Sequence, residues 1–92
     1  MATFYGGAQL VNITSLTSGG SYSVPAGHFA RVSYFLARVS TTDSQMTTPQ
    51  GPIGTSALLP SAVGLITVES GVVSISGTSS QGVVGIEVYK NP

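Results

Sequence analysis

Apolar and polar residues alternate over most of this chain, and the alternation predicts strands. Residues 9–16, QLVNITSL, put Leu10, Asn12, Thr14 and Leu16 on one side and Gln9, Val11, Ile13 and Ser15 on the other, a strand with two mixed faces. TSGGS follows as a turn, because Gly19 and Gly20 take positive φ at little steric cost. Tyr22 and Val24 continue as a short strand. VPAG, at 24–27, reads as a type I turn, with Pro25 fixing φ at its second position and Gly27 at its fourth.

The next run, FARVSYFLA at 29–37, can be read in two periods. With period two, Ala30, Val32, Tyr34 and Leu36 point one way and Phe29, Arg31, Ser33, Phe35 and Ala37 the other; with period 3.6, Phe29, Val32, Leu36 and Val39 would line a helix. The mixture of aromatic and β-branched residues after a tight turn favours the strand. Both faces then carry bulky groups, so both are expected to be covered, one by the protomer's own core and the other by a neighbouring surface.

Residues 41–62 contain Pro49, Pro52 and Pro60 with little periodicity, and predict a long loop or a pair of short edge segments. Within them Ala57, Leu58 and Leu59 are the apolar exception, placed either to cap the core or to touch a neighbour. The last third predicts three further strands, GLITVES, VVSISG and VVGIEVYK, separated by Ser70-Gly71 and by TSSQG. Strands in series without helical periodicity predict one all-β domain, an antiparallel β-sandwich or jelly-roll-like barrel.

Charge changes the picture most. Arg31, Arg38 and Lys90 stand against Asp43, Glu69 and Glu87, so 7% of residues are charged, where soluble domains average about 25%. Net charge is zero while 41% of residues are hydrophobic. Such a surface is poorly protected against association, and part of its apolar area is expected to meet other chains. Three cations cannot build an extended phosphate footprint, so neither nucleic acid nor an anionic membrane is an expected partner. Cysteine is absent, which excludes disulfides. The start, MATFYGGAQL, has neither a basic region nor a continuous apolar run, so no secretory signal is expected.

Catalytic chemistry finds few parts. His28 is the sole histidine, so no site with two histidines exists, and no GxSxG elbow occurs. Glu69 and Glu87 lie on separate runs without a supporting acidic cluster, a poor start for glycoside hydrolysis. No enzyme activity, metal or cofactor is expected. Asn12-Ile13-Thr14 matches a glycosylation sequon, and Pro49–Pro52 the spacing of a polyproline ligand; strand and rigid loop, respectively, are the simpler readings.

The candidate site residues are therefore contacts. Arg31 and Arg38 sit seven apart and, on a strand, face opposite ways. Each either pairs with an acid such as Glu69 or Glu87 from a neighbouring strand or snorkels to solvent, and the functional reading makes one of them an interface anchor. Tyr22, Tyr34 and Tyr89 suit core edges where the hydroxyl meets a partner. Phe4 and Tyr5, ahead of Gly6-Gly7, read as an N-terminal arm over residues 1–8 that docks on a neighbouring subunit. The candidate interface is Phe4, Tyr5, Phe29, Arg31, Phe35, Leu58 and Leu59.

YSVPAGHFARV at 22–32 and the closing GVVSISGTSSQGVVGIEVYKN at 71–91 resemble segments of small tailed-bacteriophage virion proteins, in which a turn of this kind precedes a long strand and a glycine-bounded strand closes a β-sandwich. The resemblance covers about half the chain and rests on turn chemistry plus strand. It implies a non-enzymatic capsid decoration or cement protein, commonly trimeric, made in the host cytoplasm and located in the virion. Its partners would be other copies of itself and a major capsid protein or another virion protein. A tail or fibre component is the alternative within that class. Outside it stands a carbohydrate- or receptor-binding module, for which Tyr5, Phe29 and Phe35 are the available aromatic platforms.

Overall fold

The alternating segments become strands because branched and aromatic side chains fit a pleated surface and find cross-strand neighbours there. The computed structural model describes residues 4–17, 19–76, 79 and 81–92. Among them run β1 (Phe4–Tyr5), β2 (Ala8–Leu16), β3 (Ser21–Ala37), β4 (Gln45–Thr48), β5 (Gly51–Gly54), β6 (Ser61–Ser76) and β7 (Gly82–Lys90). They form one open antiparallel sheet in the order β1-β2-β7-β3-β6-β4-β5. The chain is all-β and folds as one domain.

Two strands are much longer than their sequence punctuation predicts. VPAG does not reverse the chain; β3 runs through it for 17 residues, and β6 runs through Ser70-Gly71 for 16. The three predicted strands of the last third are therefore two, β6 and β7. The two interruptions face each other. Val24 pairs with Gly71 and Phe29 with Glu69, so residues 25–28 of β3 stand opposite Ser70 alone. Gly27 takes φ +78°, Ser70 +33° and Gly71 +118°. A Cβ on Gly71 would meet Pro49 Cγ at 2.6 Å, so glycine serves both the backbone and the close approach. A bulge bends its strand and increases the twist, and here it bends both strands of the pair at one height. Turn and corner use the same residues, which is why composition does not separate them.

The buried side chains of five strands form one core. Val24, Ala30, Val32 and Leu36 come from β3, Val68, Val73 and Ile75 from β6, Val84, Ile86 and Val88 from β7, with Leu16 and Met46 from β2 and β4. Residues 41–62, expected as a long loop or a pair of short edge segments, carry the short β4–β5 hairpin, with β5 at the sheet's end. Residues 4–9 do not form a free arm. β1 folds back on β2 through Gly6 and Gly7, at φ +58° and +85°, the two positive values that a tight hairpin turn demands. Residues 1–3 of the expected arm lie outside the described residues.

Candidate functional site

The face of the sheet turned away from the core holds most of the candidate contacts. Register sets its side chains in rows across β7, β3 and β6: Val83-Phe35-Val63, then Gly85-Ser33-Leu65, then Glu87-Arg31-Thr67, then Tyr89-Phe29-Glu69. Ser15 of β2 extends the second row and Ile13 the third. Five large apolar side chains of this face, Ile13, Phe35, Val63, Leu65 and Val83, remain between 52% and 69% exposed. On the same strand Ala30, Val32 and Leu36 are 0% exposed. The middle row is a trough, because Gly85 has no side chain and Ser33 only a hydroxymethyl, while Phe35, Val63 and Val83 rise on one flank. Leu65 closes the row at its β6 end, and Ile13, Arg31 and Glu87 border it on the other flank.

Beyond the charged row the face carries a cluster of aromatics. Phe29 stacks on Tyr89 with centroids 5.3 Å apart and planes 14° from parallel. Tyr5 tilts onto both, at 6.2 Å from Phe29 and 5.8 Å from Tyr89. The Arg31 guanidinium lies 4.4 Å from the Tyr5 ring centroid, a cation–π contact, and its Nη1 is 3.5 Å from Glu87 Oε1. Tyr89 donates its hydroxyl proton to the same Glu87 oxygen at 3.2 Å. Thus Tyr5, Phe29 and Arg31, three of the sequence-derived contacts, join one intramolecular cluster. β1 supplies the covering ring, and the pair Arg31–Glu87 is the cross-strand neutralisation expected of facing opposite charges.

The remaining candidates separate. Phe35 lies on the open apolar part of the face. Leu58 is 91% and Leu59 67% exposed on a tight turn in which Ser56 N donates to Leu59 O and Leu59 N to Ser56 Oγ. They project outward and do not cap the core. The Phe4 side chain lies outside the described residues. Ile13, Val63, Leu65 and Val83 are the contacts that sequence reasoning missed. Ile13, Leu65 and Val83 fall in predicted strands and Val63 just outside one, and register alone puts the four on one face.

The densest polar network is structural. Ser44 is fully buried; its Oγ donates to Ala37 O at 2.5 Å and accepts from Gln81 N at 3.1 Å, while its N donates to Thr55 Oγ1 at 2.9 Å. Thr55 Oγ1 donates onward to Asp43 Oδ1 at 3.3 Å, and Arg38 Nε donates to that oxygen at 2.7 Å. Arg38 also donates to the carbonyls of Ser40 and Thr41. Every member has a partner, so the network ties the exit of β3 to the β4–β5 hairpin and to Gln81 ahead of β7. Serine is so common here that Ser44 carries no signal in the sequence.

Among the described residues no group of three or more His, Cys, Asp and Glu side chains converges. His28 is half-buried on β3, where its Nδ1–H donates to Ala26 O at 3.0 Å, two residues back along the chain. No protein-family model, curated protein or solved structure matches the chain.

Proposed function

We propose that this chain is a non-enzymatic structural subunit, a capsid decoration or cement protein of a bacteriophage virion, that attaches and self-associates through the outer face of its sheet. The observation that carries the assembly part is the exposed group Phe35, Val63, Leu65 and Val83, with Ile13 across the trough, on a molecule with only six charged residues. Contiguous exposed apolar side chains on a regular sheet mark an interaction site, and the sparse charge leaves little to oppose contact between copies. Each such contact brings about 25 cal/mol per Å² of apolar area removed from water, before association costs. Repetition on a lattice then multiplies modest affinities through effective concentration.

The virion part rests on the resemblance of 22–32 and 71–91 to phage proteins. A sandwich-like packing of the two sheet arms belongs to the same reading, supported by the paired bulges and the shared core. A tail or fibre component would use the same face. The carbohydrate-binding rival loses one platform, since the Phe29 ring is stacked on Tyr89, and keeps two, since Tyr5, with one face on Arg31, is 48% and Phe35 52% exposed.

Native mass spectrometry and sedimentation at low and high salt test the assembly reading. A trimer whose dissociation constant barely changes with ionic strength supports it, and a monomer at every concentration removes its self-association. Peptide mapping of particles purified from the source tests the virion reading. The chain is expected as a stoichiometric component, and its absence from the particles contradicts that assignment.

A further inference from the structure

The strands at the two ends of the sheet order are built like protected edges. β1 has two residues, and β5 has four with Pro52 among them; shortness and proline both keep an edge from pairing with another chain. Two longer edges lie inside that order. β1 pairs only with Ala8 and Gln9 of β2, and β4 only with Ser74, Ile75 and Ser76 of β6. Among the described residues no strand pairs with the outer edge of β2 from Leu10 to Leu16, or with that of β6 from Ser61 to Val68. On the β6 edge one carbonyl, Thr67 O, accepts from Gln50 Nε2 at 2.8 Å. Neither run contains a proline or a charged residue, the usual devices against edge pairing.

These edges flank the same four strands, β2-β7-β3-β6, on opposite sides. Each step in that series is antiparallel, so β2 and β6 run in opposite directions. A second copy set beside the first in the same orientation therefore presents its β2 antiparallel to the first copy's β6. The ladder continues in its own sense. The same placement keeps the outer faces on one side and brings Ile13 of one copy toward Val63 and Leu65 of the next.

We infer that copies of this chain join edge to edge, β2 of one against the first half of β6 of the next, so that their outer faces form one continuous apolar surface. The inference rests on the self-association reading and adds its geometry. The occupant is a second copy because the two edges match in length, direction and lack of charge, and both belong to this chain. Such a contact is heterologous; it closes into a ring where the rotation returns on itself and otherwise grows as a filament. Main-chain hydrogen bonds supply the pairing, as in strand addition by peptides.

The chain has no cysteine, which permits a cross-linking test. Ser15→Cys on β2 is mixed, under mild oxidation, with a mass-tagged partner carrying Ser61→Cys, Val63→Cys or Leu65→Cys, all outward positions of β6. The expected result is a mixed disulfide dimer with at least one β6 variant and little dimer from any variant alone. Amides of Ile13–Leu16 in the unsubstituted protein are expected to gain hydrogen-exchange protection on association. Dimers from Ser15→Cys alone would show a two-fold β2–β2 contact and overturn the proposal. An oligomer by native mass spectrometry with no cross-link and no added protection would overturn the edge geometry while leaving self-association standing. A monomer by native mass spectrometry would overturn both.

Discussion

The two sides of β3 contain similar amounts of apolar side chain and meet different fates. Ala30, Val32 and Leu36 are fully buried among β6 and β7, whereas Phe35, one residue before Leu36, is 52% exposed beside Val63 and Val83. A residue turned inward stabilises the protomer. One turned outward adds little to it and is available to a neighbour. Substitutions on the two sides should therefore separate folding from association.

The largest effect is expected from Leu36→Ala. Deleting a buried leucine side chain costs about 2–5 kcal/mol through lost transfer energy and the cavity left behind, a large share of what a domain this small can hold. Phe35→Ala should change the urea midpoint little and instead weaken association by about 1–4 kcal/mol if the ring is a contact hot spot. Equal loss of fold stability in both variants, measured by urea unfolding at low protein concentration, would erase the distinction between the faces.

Next in size is the buried node. Ser44→Ala leaves Gln81 N and Ala37 O without their partner in a partly buried setting, and about 1–3 kcal/mol of destabilisation is expected. Denaturant melts check this, and a midpoint unchanged from the parent would mean that water replaces the hydroxyl. Gly71→Ala should cost about 1–3 kcal/mol, because an L side chain is strained at φ +118° and Pro49 stands in its way. If Gly71→Ala is neutral, the bend in β6 is not held at that residue.

The smallest effect belongs to Arg31 and Glu87. The pair is partly exposed at 28% and 42% of side-chain area, so its ionic part is worth about 0–1 kcal/mol. A double-mutant cycle with Arg31→Met and Glu87→Gln measures it. Coupling well above that range would show that Tyr5 shields the pair from water more completely than its exposure implies.

How much of this was legible in the chain depends on which physical scale controls each feature. The side of each strand follows from alternation, so Val32 against Ser33 or Ile86 against Glu87 can be assigned by eye. The corner at 25–28 and 70–71 could not be told from two turns, since proline, glycine and serine satisfy both geometries and only pairing on either side decides. The aromatic cluster illustrates the same limit. Tyr5 is far from Phe29 and Tyr89 in sequence, and Tyr5 reads as part of a docking arm until the Gly6-Gly7 hairpin lays it on its own sheet. The exposed row Val83-Phe35-Val63 exists only through two registers at once.

Whether the outer face seeks a neighbour is tested most directly by sedimentation of the parent chain beside a Phe35→Lys, Val63→Lys double variant, across protein concentrations and with circular dichroism as the control for folding. The expected result is a concentration-dependent oligomer for the parent and a folded monomer for the variant. A parent that stays monomeric at high concentration, or a charged variant that associates just as well, would contradict it.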